Sequence, residues 1–441
     1  DHVGPIFERA IHRVPALAEC GIQLLFNGPE AFTPDGVCYL GEAPTVDGCF
    51  VAAGFNSVGI QLAGGVGWAL ADLIADGIPP VDLTAADLRR AQPFQTEPDY
   101  LAERIPESLG LLYAMHWPHQ QYEGGRNRRQ SPLHHRLDDA GAVFGETAGW
   151  ERPNWFARPG QERVYRYSYG RQNWFDNMVE ECRSVREAAG LFDQSSFGQF
   201  EVSGPDALAV LDHVSAAAID RPELHTAYTQ WCNDLGGIEA DLTVTRLGPD
   251  RFLVVTGAAA RVRDLAWLRR SARGHDVTID DLTERRTMLG LMGPASRAIL
   301  ADVAHDGLGA DARGPDPLGA DALGADALGA DAMPLGTGRW MEVAGVAVLG
   351  LRMTYVGELG WELYLDAADA VTVFDAIVEA GRPHGLRPAG YHAMDSLRLE
   401  AGYRHYGHDL SDQETPIEAG LGFACAGPEA HPGPGRPPPC P

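Results

Sequence analysis

The chain has 441 residues, which is more than one hydrophobic core usually supports, so two or three domains are expected. Hydrophobic residues make up 45% and charged residues 22%, as in soluble globular proteins, and no apolar run is long enough for a membrane span. The formal net charge of −26 argues against nucleic acid as a partner, because such binding depends on clustered Lys and Arg side chains.

The seven cysteines are scattered and form no CxxC pair, which disfavours a disulfide framework and a zinc site. A reducing compartment fits this pattern, and we expect a cytoplasmic protein. The histidines show no HExxH or similar spacing, so no metal is predicted. The first residues lack the features of a signal peptide, and there is no initiating Met. We therefore expect the chain to begin inside a longer protein.

The first clear elements lie between residues 49 and 77. Residues 49–54 predict a short buried strand, and residues 64–76 predict a helix because apolar side chains recur at helical spacing. The turn between them, residues 55–60, would aim free backbone N–H groups at one point, which suits an anion or an electron-rich carbonyl. The helix is expected to stop at Gly77.

Residues of about 93 to 160 are rich in aromatic, Pro, Arg and His residues and predict irregular linking structure. From Tyr167 onward helical and strand patterns alternate, with a helix at 177–189 and strands at 198–202 and 251–255. The alternation continues to about Phe423 and predicts a mixed α+β domain.

Two segments are expected outside the fold. The repeat that begins with Leu308-Gly-Ala-Asp-Ala returns at Leu318, Leu323 and Leu328, and its composition predicts a disordered surface insertion over residues 305–336. A calcium-binding repeat is the alternative for its spaced aspartates. The proline-rich tail, residues 426–441, is expected to be extended or disordered.

Two glycine-containing loops carry the candidate chemistry. In Gly236-Gly-Ile-Glu-Ala-Asp-Leu-Thr-Val, Asp241 is a carboxylate at the start of an apolar strand, and the alternative is an acid that makes only a turn hydrogen bond. In Tyr355-Val-Gly-Glu-Leu-Gly-Trp-Glu, Glu362 is the matching acid, and the alternative is a solvent-facing strand residue. Glycines let the backbone approach a ligand closely, so the two loops predict one pocket built from distant segments.

Several longer motifs resemble dimethylglycine and sarcosine dehydrogenases. The N-terminal ones resemble the end of the flavin domain, the next ones the middle domain, and the last ones the folate-binding domain shared with glycine-cleavage T-protein. In chain order they are Asn27-Gly-Pro-Glu-Ala-Phe-Thr-Pro-Asp, Gly41-Glu-Ala-Pro, Ala53-Gly-Phe-Asn-Ser-Val-Gly-Ile-Gln-Leu-Ala-Gly-Gly, Arg128-Arg-Gln-Ser-Pro-Leu, Gly149-Trp-Glu-Arg-Pro-Asn-Trp-Phe, Gly190-Leu-Phe-Asp, the two glycine loops, and Asp395-Ser-Leu-Arg-Leu-Glu-Ala-Gly-Tyr.

The resemblance implies an α+β multidomain protein. Residues 1–95 would be the C-terminal part of an FAD-dependent amine oxidase-type α/β domain, and 96–160 a middle domain. Residues 161–425 would form an aminomethyltransferase-like folate-binding domain, followed by the tail at 426–441. In that family FAD oxidises an N-methyl group to an iminium, and tetrahydrofolate captures the carbon as methylenetetrahydrofolate. The family's dinucleotide fingerprint and flavin-linking histidine lie upstream of the matched region, so this chain is expected to hold an incomplete flavin site.

The resemblance also assigns roles to residues. Asp241 is the expected catalytic residue, close to N5 and N10 of the folate, and Glu362 is expected to bind the pterin edge. Tyr355 would line the pocket by stacking, and Arg398 would support it, with an internal salt bridge as the alternative for Arg398. The residues expected near the flavin are Gly54, Asn56, Gly59, Ile60 and Gln61.

The expected partners are therefore a methylated amine, dimethylglycine or sarcosine, and folate, with no membrane partner. A folate-dependent aminomethyltransferase and a non-catalytic folate-binding fragment are the alternatives. Where T-protein has an asparagine this chain has Thr256-Gly257, and the T-protein's pterin-side arginine is replaced by Met394. Both differences favour the dehydrogenase branch of the resemblance. The identity of the amine, the electron acceptor and the oligomeric state stay open.

Overall fold

A computed structural model describes residues 3–26, 28–306 and 324–426. The chain divides into two compact units, Asp1–Ala31 and Phe32–Pro441. The first unit contains helix α1, Gly4–Arg13, and a 3₁₀ turn, Pro15–Glu19, and neither has a buried residue. No helix among the described residues is long and apolar enough to cross a bilayer. Most of residues 305–336 and of the proline-rich tail lie outside the described ranges.

The second unit begins with an antiparallel pair and a long helix, β1 (Tyr39–Glu42), β2 (Phe50–Ala53) and α2 (Gly59–Asp76). The predicted strand at 49–54 exists, but it is not buried, because the last two residues of β2 are exposed. Helix α2 starts five residues before the predicted start and ends, as predicted, at Gly77, which has a φ of +77°. Ala69 is the one buried residue of α2, so the helix presents a largely open surface.

Residues 93–160 are ordered, and the expectation of irregular linking structure there was wrong. They form α3 (Pro98–Leu112), β3 (Arg129–Gln130), α4 (His134–Asp139), β4 (Ala142–Thr147) and β5 (Trp150–Phe156), with the strands ordered β3-β5-β4. Two of the tryptophans that made the segment look irregular, Trp150 and Trp155, are core residues. Trp155 is fully buried and packs with Trp174 and Met178.

The rest of the chain alternates between helices and strands. In chain order the elements are α5 (Phe175–Glu187), β6 (Ala189–Asp193), β7 (Gly198–Ser203), α6 (Ala207–Val214), β8 (Thr226–Cys232), β9 (Ile238–Gly248), β10 (Arg251–Thr256), α7 (Arg261–Ser271), β11 (Thr278–Asp281), β12 (Arg286–Met292), α8 (Ser296–Val303), β13 (Ala304–Asp306), β14 (Gly338–Val343), β15 (Val346–Leu351), β16 (Gly360–Asp366), α9 (Ala370–Gly381), β17 (Leu386–Pro388) and α10 (Tyr391–Glu400). The predicted α+β class is confirmed, as are the helix near 177–189 and the strands at 198 and 251.

These strands form two sheets. The five-stranded sheet has the order β11-β7-β10-β9-β8, and the seven-stranded sheet has the order β13-β14-β15-β16-β12-β6-β17. All neighbours are antiparallel except β17 and β6. One face of the smaller sheet packs on α6 and α7, and one face of the larger sheet packs on α8 and α9.

The remaining faces of the two sheets pack against each other. Leu253 and Val255 of β10 share one hydrophobic cluster with Met288 of β12, Leu351 of β15 and Tyr364 of β16. This arrangement of two sheets between outer helices buries both inner faces, as in other layered domains. Polar residues on those inner faces are therefore enclosed by protein.

The expectation of a disordered insertion is wrong for its last part. Residues 324–336 are ordered, and they contain a 3₁₀ turn, Ala325–Leu328. Leu328 and Met333 are buried in the core around Trp361, whose indole Nε1 lies 3.3 Å from the Met333 sulfur. The Gly-, Ala- and Asp-rich composition predicted disorder here, but the burial of these two apolar side chains holds residues 324–336 in place. Residues 307–323, with the first copies of the repeat, lie outside the described part of the chain.

Candidate functional site between the two sheets

The alternation of β9 places Asp241 in the space between the sheets. Ala240, Leu242 and Val244 belong to the cluster under α6 and α7, so Asp241 and Thr243 point the other way, towards the seven-stranded sheet. Asp241 lies deep among protein atoms yet keeps some accessible surface. It is therefore not fully sealed from solvent.

Asp241 is held by side chains from the neighbouring strand β8. Gln230, its direct cross-strand partner, donates a hydrogen bond from Nε2 to Asp241 Oδ1 over 2.8 Å. The Tyr228 hydroxyl, two residues earlier on the same face, also hydrogen-bonds the carboxylate. Burial raises the pKa of Asp241 to about 6, and the bonds from Gln230 and Tyr228 lower it. A carboxyl group with such a pKa can hold or release a proton near neutral pH.

Glu362 occupies the corresponding position on the seven-stranded sheet. It is 8% exposed, and it shares the inward face of β16 with Tyr364, whose hydroxyl donates to Glu362 Oε2 over 2.7 Å. Among the described residues, Oε1 has no hydrogen-bond partner. Burial raises the pKa of Glu362 to about 7, and the bond from Tyr364 lowers it. The alternative of a solvent-facing strand residue is therefore wrong.

A glycine makes room for an amide beside Glu362. Gly290 of β12 is directly opposite Glu362, and a Cβ added there would lie 2.4 Å from Oε1 of Gln194. The Gln194 side chain therefore lies over Gly290, on the face that Glu362 shares. Gln194 Oε1 and Gln230 Oε1 are both buried without a hydrogen-bond partner. Two orphaned acceptors and two buried carboxyl groups give the inter-sheet space the character of a ligand site.

Tyr355 connects these two sides of the space. Its ring packs beside Phe192, Met292 and Met394, and its pKa responds to the charge of Asp241. Its hydroxyl donates to the backbone carbonyl of Arg404 over 2.6 Å. The Tyr355 ring stacks with Tyr403, with the ring centroids 6.0 Å apart, so only its other face is left for a ligand.

Arg398 is committed to the protein itself. It is 5% exposed, and it forms hydrogen-bonded ion pairs with Asp395, at 2.7 Å, and with Asp409. It also donates to the carbonyl of Tyr403 over 3.2 Å. The internal salt bridge is thus what the structure shows, and Arg398 fixes the loop after α10 that receives the Tyr355 hydroxyl.

The residues expected near a flavin lie apart from this space, at the start of α2. Asn56 has a φ of +49° and is 2% exposed. Its amide group donates to Gly54 O over 2.6 Å and exchanges hydrogen bonds with Thr33, so it is used within the turn. Ile60 is 99% exposed, and Gln61 is also exposed. In the described part of the chain, these side chains form no cradle for a flavin.

A second concavity was not anticipated from the sequence. A cleft of about 180 Å³ lies where β1 and α2 meet β9 and α7. Its charged side chains are mostly paired, as Arg89 is with Asp87 at 2.7 Å and Arg263 with Asp264 at 3.1 Å. Neither Asp241 nor Glu362 lines it, so the candidate site is the inter-sheet space.

Sequence reasoning missed four polar residues of that space: Tyr228, Gln230, Gln194 and Tyr364. Tyr228 and Gln230 carried a usable signal, since polar residues two apart in an otherwise apolar strand share one face. What the sequence did not reveal is that β8 pairs with β9 in the register that places Gln230 opposite Asp241.

Comparisons with known proteins agree with this architecture. A profile of the GCVT N-terminal domain matches residues 133–313 and 319–427, which is more than half of the chain. A profile of the FAD dependent oxidoreductase central domain matches residues 76–131. The crystal structure of glycine cleavage system aminomethyltransferase T from Bartonella henselae superposes with a TM-score of 0.53 and 28% identity, and the match covers 69% of this chain and 71% of that one.

Two curated relatives extend over almost the whole chain. The formaldehyde-forming 4-methylaminobutanoate oxidase of Paenarthrobacter nicotinovorans is 45% identical over 96% of this chain and 49% of its own length. Mitochondrial sarcosine dehydrogenase of Homo sapiens is 37% identical over 95% of this chain and 48% of its own length. The chain thus spans about half the length of these relatives. It belongs to the family defined by the GCVT domain, combines that domain with an FAD dependent oxidoreductase central domain, and is homologous over about half of their length to sarcosine and dimethylglycine dehydrogenases, which its motifs predicted.

Proposed function

We propose that this chain is the folate-binding part of an FAD- and tetrahydrofolate-linked enzyme that oxidatively demethylates an N-methylated amino acid. Dimethylglycine and sarcosine are the substrates that the sequence motifs favour, and the similarity to a 4-methylaminobutanoate oxidase extends the class to other amino acids with a methylated amine. The observation that supports the folate site most strongly is the pair of buried carboxyl groups, Asp241 and Glu362, on the two facing sheets.

The inter-sheet space fits a reduced folate by the chemistry of its groups. One carboxylate can accept two parallel N–H donors, and Glu362 has an oxygen available for the amino group and ring N–H of a pterin. The ring of Tyr355 offers a stacking surface. Asp241, oriented by Gln230, would hold the folate nitrogens near the reacting carbon and stabilise positive charge that develops there.

A bound FAD would supply the two-electron oxidant for the N-methyl group, and a bound tetrahydrofolate would supply the acceptor for the released one-carbon unit. For the flavin this chain supplies the exposed first turn of α2, and the rest of a flavin site is not found in its described residues. The proposed role of the chain's own side chains is thus confined to folate: Glu362 binds, Tyr355 stacks and Asp241 orients and stabilises.

Isothermal titration calorimetry of the chain with tetrahydrofolate tests the folate assignment. We expect saturable one-to-one binding in the micromolar range, which corresponds to about 8 kcal/mol. Absence of any binding up to millimolar folate would reject the proposal, because the inter-sheet space would then hold a different ligand.

A second measurement addresses the oxidation step. The chain is incubated with FAD, an electron-accepting dye and either sarcosine, dimethylglycine or 4-methylaminobutanoate, with and without tetrahydrofolate. If the yield of formaldehyde falls when tetrahydrofolate is added, the folate has captured the one-carbon unit. Folate binding without any amine oxidation would support the alternative of a non-catalytic folate-binding fragment.

Aminomethyl transfer without oxidation is the second candidate, and the structural match to aminomethyltransferase T favours it. It predicts transfer from a protein-carried aminomethyl group to tetrahydrofolate in the absence of FAD. An assay with an aminomethylated lipoyl protein separates the two, because the oxidase proposal predicts no product in that assay.

A further inference from the structure

The hydroxyl of Tyr364 holds the Glu362 carboxylate in place. The two residues lie two apart on β16 and therefore share its inward face. The hydroxyl donates to Glu362 Oε2 over 2.7 Å, and among the described residues no other hydrogen bond reaches this carboxylate. The Tyr364 bond therefore sets the orientation of the carboxylate, and Oε1 is the oxygen that remains for a ligand.

The ring that carries this hydroxyl is itself fixed by packing. Tyr364 is 3% exposed and lies between Met288 of β12 and Leu349 of β15, its direct cross-strand neighbours. Leu253 and Val255 of the five-stranded sheet belong to the same hydrophobic cluster. A side chain enclosed in this way has little room for a second rotamer, because protein interiors are close-packed. The hydroxyl is thus in position before any ligand binds.

The proton of this hydrogen bond stays on the tyrosine. Burial and the charge of Glu362 raise the pKa of Tyr364 well above its ordinary value. The hydroxyl therefore acts as a donor, and a donor favours the ionised form of Glu362. Burial acts in the opposite direction and raises the pKa of Glu362 to about 7 in spite of the bond. Loss of the hydroxyl would leave the effect of burial unopposed.

Among the described residues, no other group takes over this role. The titratable groups on the inward side of the neighbouring elements are Arg286 of β12, Glu201 of β7, Arg251 of β10, Asp241 of β9, Tyr228 of β8 and Tyr355 in the loop before β16. Glu201 pairs with Arg286 at 3.5 Å and with Arg251 at 3.2 Å. The influences on the pKa of Glu362 are burial and the Tyr364 bond, and none of these charges is among them.

We propose that Tyr364 is a positioning residue that orients the Glu362 carboxylate towards the N–H donors of a bound reduced pterin. This inference rests on the folate function proposed above and adds to it the group that prepares Glu362 for the ligand. The 2-amino group and the ring N–H of a pterin both donate, so the carboxyl group must accept from them rather than donate. By donating from the protein side, Tyr364 keeps Glu362 in that accepting, ionised state.

Tyr364→Phe tests this role, because it removes the hydroxyl and keeps the ring that fills the cluster. The unaltered chain and the variant are titrated calorimetrically with tetrahydrofolate, under anaerobic conditions, at about pH 7 and about pH 9. Loss of the bond should raise the pKa of Glu362 by roughly one pH unit, so its ionised fraction near pH 7 should fall from about one half to about one tenth. We expect about 10-fold weaker binding near pH 7, where lost ionisation and lost orientation both act, and about twofold weaker binding near pH 9, where only lost orientation acts.

Further variants serve as controls. Tyr169→Phe removes the hydroxyl of a tyrosine that is 67% exposed and hydrogen-bonded to the carbonyl of His116, and it should bind as the unaltered chain does at both pH values. Glu362→Gln and the double variant Glu362→Gln/Tyr364→Phe have no carboxylate for the hydroxyl to hold. Their affinities should agree within about twofold at both pH values. This comparison is still possible if Tyr364→Phe alone does not fold, because the double variant buries no charge at position 362.

Three results would overturn the inference alone. An equal loss of affinity at the two pH values would make Tyr364 a packing residue only, and no loss at either pH would remove its role. A loss greater than about fivefold when Tyr364→Phe is added to Glu362→Gln would show that Tyr364 does not act through Glu362. A fourth result, in which the unaltered chain binds no tetrahydrofolate at either pH, would reject the folate proposal itself and is distinct from the other three.

Discussion

The two sheets each contribute one buried carboxyl group to the same space, but the two groups are held differently. Asp241 receives hydrogen bonds from Gln230 and Tyr228 on the adjacent strand, and its pKa is raised to about 6. Glu362 receives one, from Tyr364, and its pKa is raised to about 7. Relative to ordinary values of 3.8 and 4.5, burial raises the two pKa values by similar amounts, so the hydrogen-bond partners, and not the pKa values, distinguish the two groups. The difference suggests that Asp241 is oriented for chemistry and Glu362 is left open for ligand recognition.

Asp241→Asn tests the chemical half of this comparison and should have the largest effect. The variant keeps the shape of the side chain but loses the charge that would stabilise a cationic carbon. We expect tetrahydrofolate affinity to change less than about fivefold, and condensation of formaldehyde with bound tetrahydrofolate to slow by about 10²- to 10³-fold relative to the unaltered chain. Stopped-flow absorbance measures the rate, corrected for the spontaneous reaction. Asp250→Asn, at an exposed turn, is the control. An unchanged rate in Asp241→Asn would remove its chemical role.

Glu362→Gln tests the recognition half. Replacing the carboxylate weakens the hydrogen bonds from two ligand N–H groups and points an amide N–H₂ at one of them. We expect tetrahydrofolate to bind about 100-fold more weakly, which is about 3 kcal/mol, as measured by calorimetry. Glu223→Gln, at an exposed position outside the space, serves as the control. A loss smaller than about threefold would show that Glu362 does not contact the ligand.

The sequence predicts site residues that lie within a local motif, but it does not predict those that are placed by the pairing of distant strands. Asp241 and Glu362 stood out because each shortly follows a glycine-containing turn, and the family motifs cover both. Gln194 could not be identified from the sequence, because its position over Gly290 depends on the pairing of β12 with β6 and with β16. These strands are distant in sequence. The fold shows the same limit. Helices and strands of the GCVT part follow from periodicity, whereas Trp155 looked like a linker residue until its partners Trp174 and Met178 were known.

Gln230→Leu sharpens the comparison, because it leaves Asp241 with one side-chain hydrogen-bond donor, as Glu362 has. It removes the 2.8 Å hydrogen bond to Oδ1, and only the Tyr228 hydroxyl would remain of the two side-chain donors. Because that bond favours the charged carboxylate, its loss should raise the pKa of Asp241 above about 6, by roughly one pH unit. The pH midpoint of the formaldehyde condensation rate should move up by the same amount. Gln413→Leu, at an exposed loop position, should leave the midpoint where it was. A midpoint that stays fixed in Gln230→Leu would mean that another group sets the pH dependence.

The smallest expected effect is on the pH dependence of the free energy of unfolding, and it comes from the titration of Glu362. Its pKa is raised by burial from 4.5 to about 7, so between those values the folded protein binds more protons than the unfolded chain. The free energy of unfolding should therefore fall as pH rises from about 5 to about 7.5, and Glu362 should account for roughly 2 kcal/mol of that fall. Glu362→Gln carries no titrating group, so its urea midpoint should change less between the two pH values than that of the unaltered chain or of Glu223→Gln. If all three proteins lose stability equally, Glu362 is ionised at no cost, and the distinction drawn between the two carboxyl groups is incorrect. If Glu362→Gln loses less stability than the other two proteins, the buried charge of Glu362 is the source of the difference, and a ligand that donates two hydrogen bonds to it should stabilise the protein most at high pH.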